Sequence, residues 1–189
     1  LRQQLDQEKI AEKLYRKLLS QFPESFLIPD THLSVAEMLY QQRRYAESLK
    51  DYEAIKLYPL ARVYTYGIYK TGWAKYQLKN VEGAIKELEL VIELSQKNSV
   101  AEGSKVNLKN EALSDLVLFY PEAKTSRDAY VYFKKWAQGD VGKYILQLSQ
   151  MYERHSNYKD QEVVLFDYID GSPSSPHVPL AWKYIIETD

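Results

Sequence analysis

Tyr69-Lys70-Thr71-Gly72-Trp73-Ala74-Lys75-Tyr76-Gln77-Leu78-Lys79-Asn80-Val81-Glu82-Gly83-Ala84-Ile85-Lys86-Glu87-Leu88-Glu89-Leu90-Val91-Ile92-Glu93-Leu94 reads as two amphipathic helices joined by a short polar turn. Gly72 is small, so a neighbouring helix can approach its backbone. Asn80 stands where the second helix begins, and its side chain can accept from the unpaired N–H groups of the first turn. Ala84 is a small contact residue on that helix. Ile85, Leu88, Val91 and Ile92 follow at spacings of three and four, which puts them on one face. A helix with one apolar stripe needs something to bury it against, so the unit demands neighbours.

The same pattern, a small residue, an aromatic or Leu four on and an apolar residue seven on, recurs along the chain. The stretch from Leu1 to Phe22 carries Leu5, Ile10, Leu14, Leu18 and Leu19 on one side, and in it Ala11 with Tyr15 and Leu18 is closed by Pro23. Ser48 with Tyr52 and Ile55 is closed by Pro59. Ala129 with Phe133 and Trp136, and Gln161 with Leu165 and Tyr168, extend it, the last closed by Pro173. The anchors Ala11, Ser48, Ala84, Ala129 and Gln161 stand 37, 36, 45 and 32 residues apart. Helix pairs with a period in the thirties predict an all-α chain, an α-solenoid of stacked antiparallel pairs. The extra residues of the 45-residue step fall around Ser95 to Lys105, where Asn98, Ser99, Gly103 and Ser104 predict a loop or a broken helical extension.

Composition narrows the function classes. Of 189 residues, 45% are hydrophobic, enough for a continuous core between helices. The formal net charge is −1 with acids and bases interspersed, and the short basic pairs Arg43-Arg44 and Lys134-Lys135 read as solvated surface. Nucleic-acid binders carry a basic face, so nucleic acid is not an expected partner. No apolar run approaches the roughly 20 residues that cross a bilayer, so this stretch is not expected to insert directly into a membrane. Without Cys, disulfides and thiolate chemistry are excluded, which suits a reducing or an oxidising compartment.

The strings Gly72-Trp73-Ala74 with Tyr76, then Asn80-Val81-Glu82-Gly83-Ala84-Ile85, resemble the tetratricopeptide repeat (TPR) family. Tyr40 with Arg44-Tyr45-Ala46-Glu47-Ser48-Leu49 is a second copy, and Tyr152 with Asn157-Tyr158-Lys159-Asp160-Gln161 a third. The family places Ala where Ser48 and Gln161 stand. The resemblance implies a right-handed superhelix over 1–189: a partial repeat 1–23, repeats at about 30–59, 60–97, 107–138 and 141–173, and a partial helix 179–189. A chain that opens inside a second helix and closes inside a first one is expected to be a fragment of a longer protein, with any signal peptide or lipid anchor outside it.

First helices of this family line a concave surface that binds protein or peptide segments. Helical phase then places Tyr66, Tyr69, Lys70, Trp73, Tyr76 and Gln77 on that surface, with Leu33, Glu37, Tyr40 and Gln41 as equivalents one repeat earlier. Aromatic side chains supply large contact area at low entropic cost, and Lys70 could meet a peptide carboxylate. Alternatively these rings fill the superhelix interior. The chaperone-binding subtype needs Lys and Asn at places held here by Leu33, Glu37, Lys70, Glu111 and Asp115, and is not expected. The style of the repeats also resembles bacterial cell-envelope TPR proteins, which would place the chain in the periplasm or envelope, the cytoplasm being the alternative. The expected role is an interaction scaffold, the alternatives being a structural spacer or assembly subunit and a regulatory module.

Catalytic motifs are weak. His32, His155 and His177 lie apart, none with a second His or a carboxylate at ligand spacing on the same helix face apart from Asp30 near His32, and they read as helix-end or turn residues rather than a metal site. Gly139-Asp140-Val141-Gly142-Lys143 lacks the spacing and hydroxyl residue of a phosphate loop and reads as a turn. Asp167-Tyr168-Ile169-Asp170-Gly171 lacks the alternating oxygen ligands of a calcium loop and reads as a helix end. Neither a cofactor nor enzymatic activity is expected. Asp30 or Thr31, and Thr125 or Ser126, are the expected caps of two further helices.

Overall fold

The computed structural model describes residues 2–98 and 108–188, and there it is all-helical, with consecutive helices packed on one another. The ten α-helices among the described residues are α1 (Arg2–Gln21), α2 (Ile28–Gln41), α3 (Tyr45–Ile55), α4 (Tyr64–Gln77), α5 (Val81–Asn98), α6 (Lys109–Phe119), α7 (Ala129–Ala137), α8 (Gly142–Arg154), α9 (Tyr158–Gly171) and α10 (Val178–Thr188). The chain divides into two compact units, Leu1–Lys109 and Asn110–Asp189. The expected loop around Ser95 to Lys105 begins inside α5, and its remainder lies outside the described residues.

Three tight turns make the helix pairs. Each carries a non-glycine residue in the left-handed region: Arg43 (φ 60°), Lys79 (φ 64°) and Ser156 (φ 55°). The next residue's N–H reaches back to a carbonyl five residues earlier: Arg44 to Leu39, Asn80 to Lys75 and Asn157 to Tyr152. This is the pattern that closes a helix with a left-handed residue. The second helix starts at once, its first bonds running from Ser48, Ala84 and Gln161 to those same turn residues. Asn80 Oδ1 also accepts from the Gly83 N–H at 3.0 Å, capping α5.

Across the first two turns the close contact is made by residues twelve apart, Ala36 with Ser48 and Gly72 with Ala84, and the residues at the same places beside the third, Ser149 and Gln161, are both buried. A Cβ on Gly72 would stand 3.3 Å from the Ala84 carbonyl oxygen, so a side chain there would force the helices apart. Ser48 and Gln161 are both buried where Ala would fit. Ser48 Oγ solves its own desolvation by donating to the Ala36 carbonyl at 2.9 Å. Ile85, Leu88, Val91 and Ile92 are all buried, each worth about 1.5–3 kcal/mol of transfer free energy.

The links between pairs are also built alike. In three connectors Pro occupies the second turn position: Pro23, Pro59 and Pro173. Ser25, Ala61 and Ser175 each donate to the carbonyl three residues back (Phe22, Tyr58, Ser172), all at 3.0 Å. Ile28, Tyr64 and Val178 then donate to those three residues' own carbonyls, all at 3.1 Å. The Pro fixes φ and has no N–H to leave unpaired.

The first unit has its core between α2, α3 and α4, where Tyr52, Ile55, Ala36, Val63 and Ala74 pack with Leu33 and Tyr40 at their edge. Buried charge ties its helices together. Asp51 on α3 is 3% exposed and accepts both Arg16 guanidinium nitrogens from α1 (2.7 and 2.6 Å) and His32 Nδ1 from α2 (2.8 Å). Burial pushes the Asp51 carboxyl up, but hydrogen bonds from His32 and Arg16 overcome it and leave it below its ordinary value. Glu87 on α5, also buried, takes Lys56 and Lys75 on one oxygen, both at 2.6 Å.

The second unit has an aromatic core of Phe119, Tyr120, Phe133 and Tyr168, all fully buried. Hydroxyls do the tying here. Tyr130 donates to the Gly171 carbonyl, Tyr168 to Ser175 Oγ (2.6 Å), and Ser126 to Asp160 (2.6 Å). The Tyr168 hydroxyl lies over Gly142, where a Cβ would be 2.3 Å away.

Several expectations need correction. α2 begins at Ile28, before the predicted Asp30 or Thr31 cap, and the Thr31 hydroxyl instead donates back to the Leu27 carbonyl. Thr125 and Ser126 do not cap α7, because a 3-10 turn (Ser126–Asp128) intervenes and the Thr125 hydroxyl bonds Asp128. On α1, Ile10 and Leu14 are each 61% exposed despite their helical spacing. His32 is paired with Asp51 rather than its sequence neighbour Asp30.

Candidate functional site

The residues singled out from the sequence lie on α2 and α4 of the first unit. Tyr66, Tyr69, Trp73 and Tyr76 follow one another at helical spacings of three and four, so they share one stripe of α4. All four rings are half-buried, and Gln77 at the end of the helix is exposed. Tyr66 and Tyr69 have ring centroids 6.2 Å apart, and Trp73 meets Tyr76 edge-on at 6.0 Å.

Lys70 joins this stripe to α2. Its ammonium lies 3.3 Å from Glu37 Oε1, 4.7 Å from the centroid of Tyr40 and 6.0 Å from that of Tyr66. Glu37 accepts the Tyr52 hydroxyl at 2.8 Å on the same oxygen and also hydrogen-bonds Tyr66. Tyr40 hydrogen-bonds Gln77 and packs edge-on against Tyr45 at 5.1 Å. Leu33 leans on the core instead. The structure therefore gathers Glu37, Tyr40, Tyr66, Lys70 and Gln77 into one network, with Tyr69, Trp73 and Tyr76 continuing along α4.

Electrostatically the network is self-balanced. Lys70 answers Glu37, and the phenols stay protonated at neutral pH. Burial raises Tyr40, Tyr52 and Tyr66, and the Glu37 charge adds to it in each case. Such a face offers ring edges, hydroxyls and an ammonium set over two rings. The sequence reading missed Tyr45 and Tyr52, because both come from the second helix of the pair. Tyr52 was legible as a core residue, but a buried ring whose hydroxyl emerges on the other side carries no periodic signal.

The second unit holds a cleft of about 500 Å³ lined by Pro121, Lys124, Ser126, Tyr152, His155 and Asp160. Its one serine, Ser126, is buried and already donates to Asp160, which also takes the Asn157 amide. Tyr152 is pushed up to about 12 by burial and by the Asp160 charge. Among the described residues no group of His, Cys, Asp and Glu is arranged to hold a metal ion, and no helix is long and apolar enough to cross a membrane. Comparison of the sequence with protein-family models gives no match, and comparison with curated proteins gives none.

Proposed function

We propose that the chain is a protein-interaction module, a TPR-like α-solenoid that binds an extended protein or peptide segment over the face formed by α2 and α4. The observation that carries this reading is the meeting of Glu37 and Tyr40 on one helix with Tyr66 and Lys70 on the next first helix. Side chains from successive pairs thus share one surface, and the α4 rings prolong it by about 15 Å at 1.5 Å per residue. Rigid aromatic side chains of this kind dominate interface energetics. The test is cross-linking to identify the bound segment, then titration of that segment as a peptide against the chain and its Tyr69→Ala/Trp73→Ala variant. A folded variant, checked by circular dichroism, that loses about 30-fold or more in affinity supports the reading. Unchanged affinity moves the function to another surface.

A second reading is a structural spacer or assembly subunit, for example in a bacterial envelope complex, that docks by edges or convex faces. It is favoured by the way Lys70, Glu37 and Tyr52 already satisfy one another. Under it the Tyr69→Ala/Trp73→Ala pair loses stability and no partner.

A further inference from the structure

We infer that the cleft of the second unit is a binding site for a guanidinium group, the head of arginine. Two carboxylates, Glu122 and Asp160, line it against the single ammonium of Lys124, so with His155 neutral it is left acidic. Lys124 already sets its ammonium 5.1 Å from the centre of the Tyr132 ring. Asp160 is in no ion pair among the described residues. It lies in the first turn of α9, where the helix dipole supports its charge. Each of its oxygens accepts from one neutral donor: Ser126 Oγ on Oδ1 at 2.6 Å and Asn157 Nδ2 on Oδ2 at 2.5 Å. An ionised carboxylate has about four acceptor positions, so both oxygens keep one. A carboxylate pinned in this way presents a matched pair of acceptors, which the fork of a guanidinium fills with two parallel N–H bonds.

Tyr152 is the second, independent observation. It is 5% exposed and lines the cleft, yet its hydroxyl has no hydrogen-bond partner among the described residues. A phenol buried to that degree ordinarily has one. Burial and the Asp160 charge together push it up to about 12, so the ring faces the carboxylate and stays protonated at neutral pH. Its oxygen can accept a further N–H of the five that a guanidinium carries. Pro121 and Met151 add apolar wall, which suits the weakly hydrated guanidinium better than a compact, strongly hydrated ammonium. An anionic ligand would meet the unanswered Asp160 charge. The assignment rests on the second unit alone and stands apart from the reading of the α2–α4 face.

The test is titration of the isotope-labelled chain with N-acetyl-L-arginine amide at constant ionic strength, up to about 50 mM, followed by amide chemical shifts. Saturable shifts are expected around Ser126, Tyr152 and Asp160. N-acetyl-L-citrulline amide, which keeps the shape without the charge, should bind at least about tenfold more weakly. Asp160→Asn should weaken arginine binding by at least about tenfold and Tyr152→Phe by about fivefold. Tyr152→Phe should leave the unfolding midpoint unchanged, since its hydroxyl has no bond to lose. Shifts that do not saturate overturn the proposal. So does citrulline or N-acetyl-L-lysine amide binding as well as arginine, or arginine binding that survives Asp160→Asn. Free L-arginine, titrated alongside, distinguishes the source: tighter binding of the capped form assigns the cleft to a side chain within a polypeptide, tighter binding of the free form to the amino acid, and either supports the guanidinium site.

Discussion

The two units solve the same packing problem with different polar chemistry. In the first, Asp51 and Glu87 sit buried and draw partners from neighbouring elements: Asp51 fastens α1, α2 and α3 at one point, and Glu87 fastens α5, α4 and the residue that follows α3. In the second, neutral hydroxyls of Tyr130, Tyr168 and Ser126 join pairs of elements. A buried charge is costly to desolvate but very costly to orphan, whereas a neutral hydrogen bond is modest either way. The first unit is therefore specified by a few indispensable residues and the second by many replaceable ones.

The largest expected effect is at Asp51. Asp51→Ala leaves His32 unanswered and frees Arg16, whose side chain is 44% exposed and can return to water. The loss should be about 3 kcal/mol, read as faster amide exchange across α1–α3 and not across α8–α10. Tyr168→Phe, its counterpart, should cost only about 1 kcal/mol. Equal costs would break the comparison.

Next comes packing. Gly142→Ala drives a methyl into the Tyr168 hydroxyl, whose ring is fully buried and has nowhere to retreat. About 2 kcal/mol of lost stability in urea unfolding is expected.

The acid limb follows from the charge difference. Because the folded Asp51 carboxyl titrates below its unfolded value, its contribution is complete above about pH 4 and disappears as pH falls through the folded value. Exchange in α1–α3 should rise below that pH in the wild type and show no such step in Asp51→Asn. The alkaline limb is shared, since burial raises Tyr52 in one unit and Tyr120 and Tyr152 in the other. Those contributions hold below about pH 10 and are lost as the phenols ionise above it.

The smallest effect should be common to both units. Lys79→Gly and Ser156→Gly relieve a left-handed backbone at the cost of added unfolded-state freedom. A net gain of about 0.5 kcal/mol in each would raise Tm by about 1–2 °C. A gain in one unit alone would show that the two turns are not equivalent.

What could be read from the sequence was local. The Asn80 cap, the Gly72 approach and the stripe through Ile85, Leu88, Val91 and Ile92 all follow from spacings within two turns of helix, and all are present. The buried carboxylates were illegible because their partners lie 12 to 35 residues away and nothing in the periodicity marks them. At the candidate site, the α4 stripe was legible from phase, while the Lys70–Glu37 pair and the Tyr52 hydroxyl depend on which helix packs beside which. Ile10 and Leu14 misled for the opposite reason. They have the spacing of a core stripe, but the packed side of α1 is the one bearing Ala11, Tyr15 and Leu18.

The prolyl connectors have one more consequence. Their hydrogen bonds close within residues 18–31 and again within residues 55–67, so each joint is self-contained. Cutting out residues 23–58 would splice Phe22 onto Pro59 and leave Phe-Pro-Leu-Ala, a joint of the same design, while copying that span would add one. Such a gene can change length in steps of 36 residues by simple recombination, without inventing a new junction.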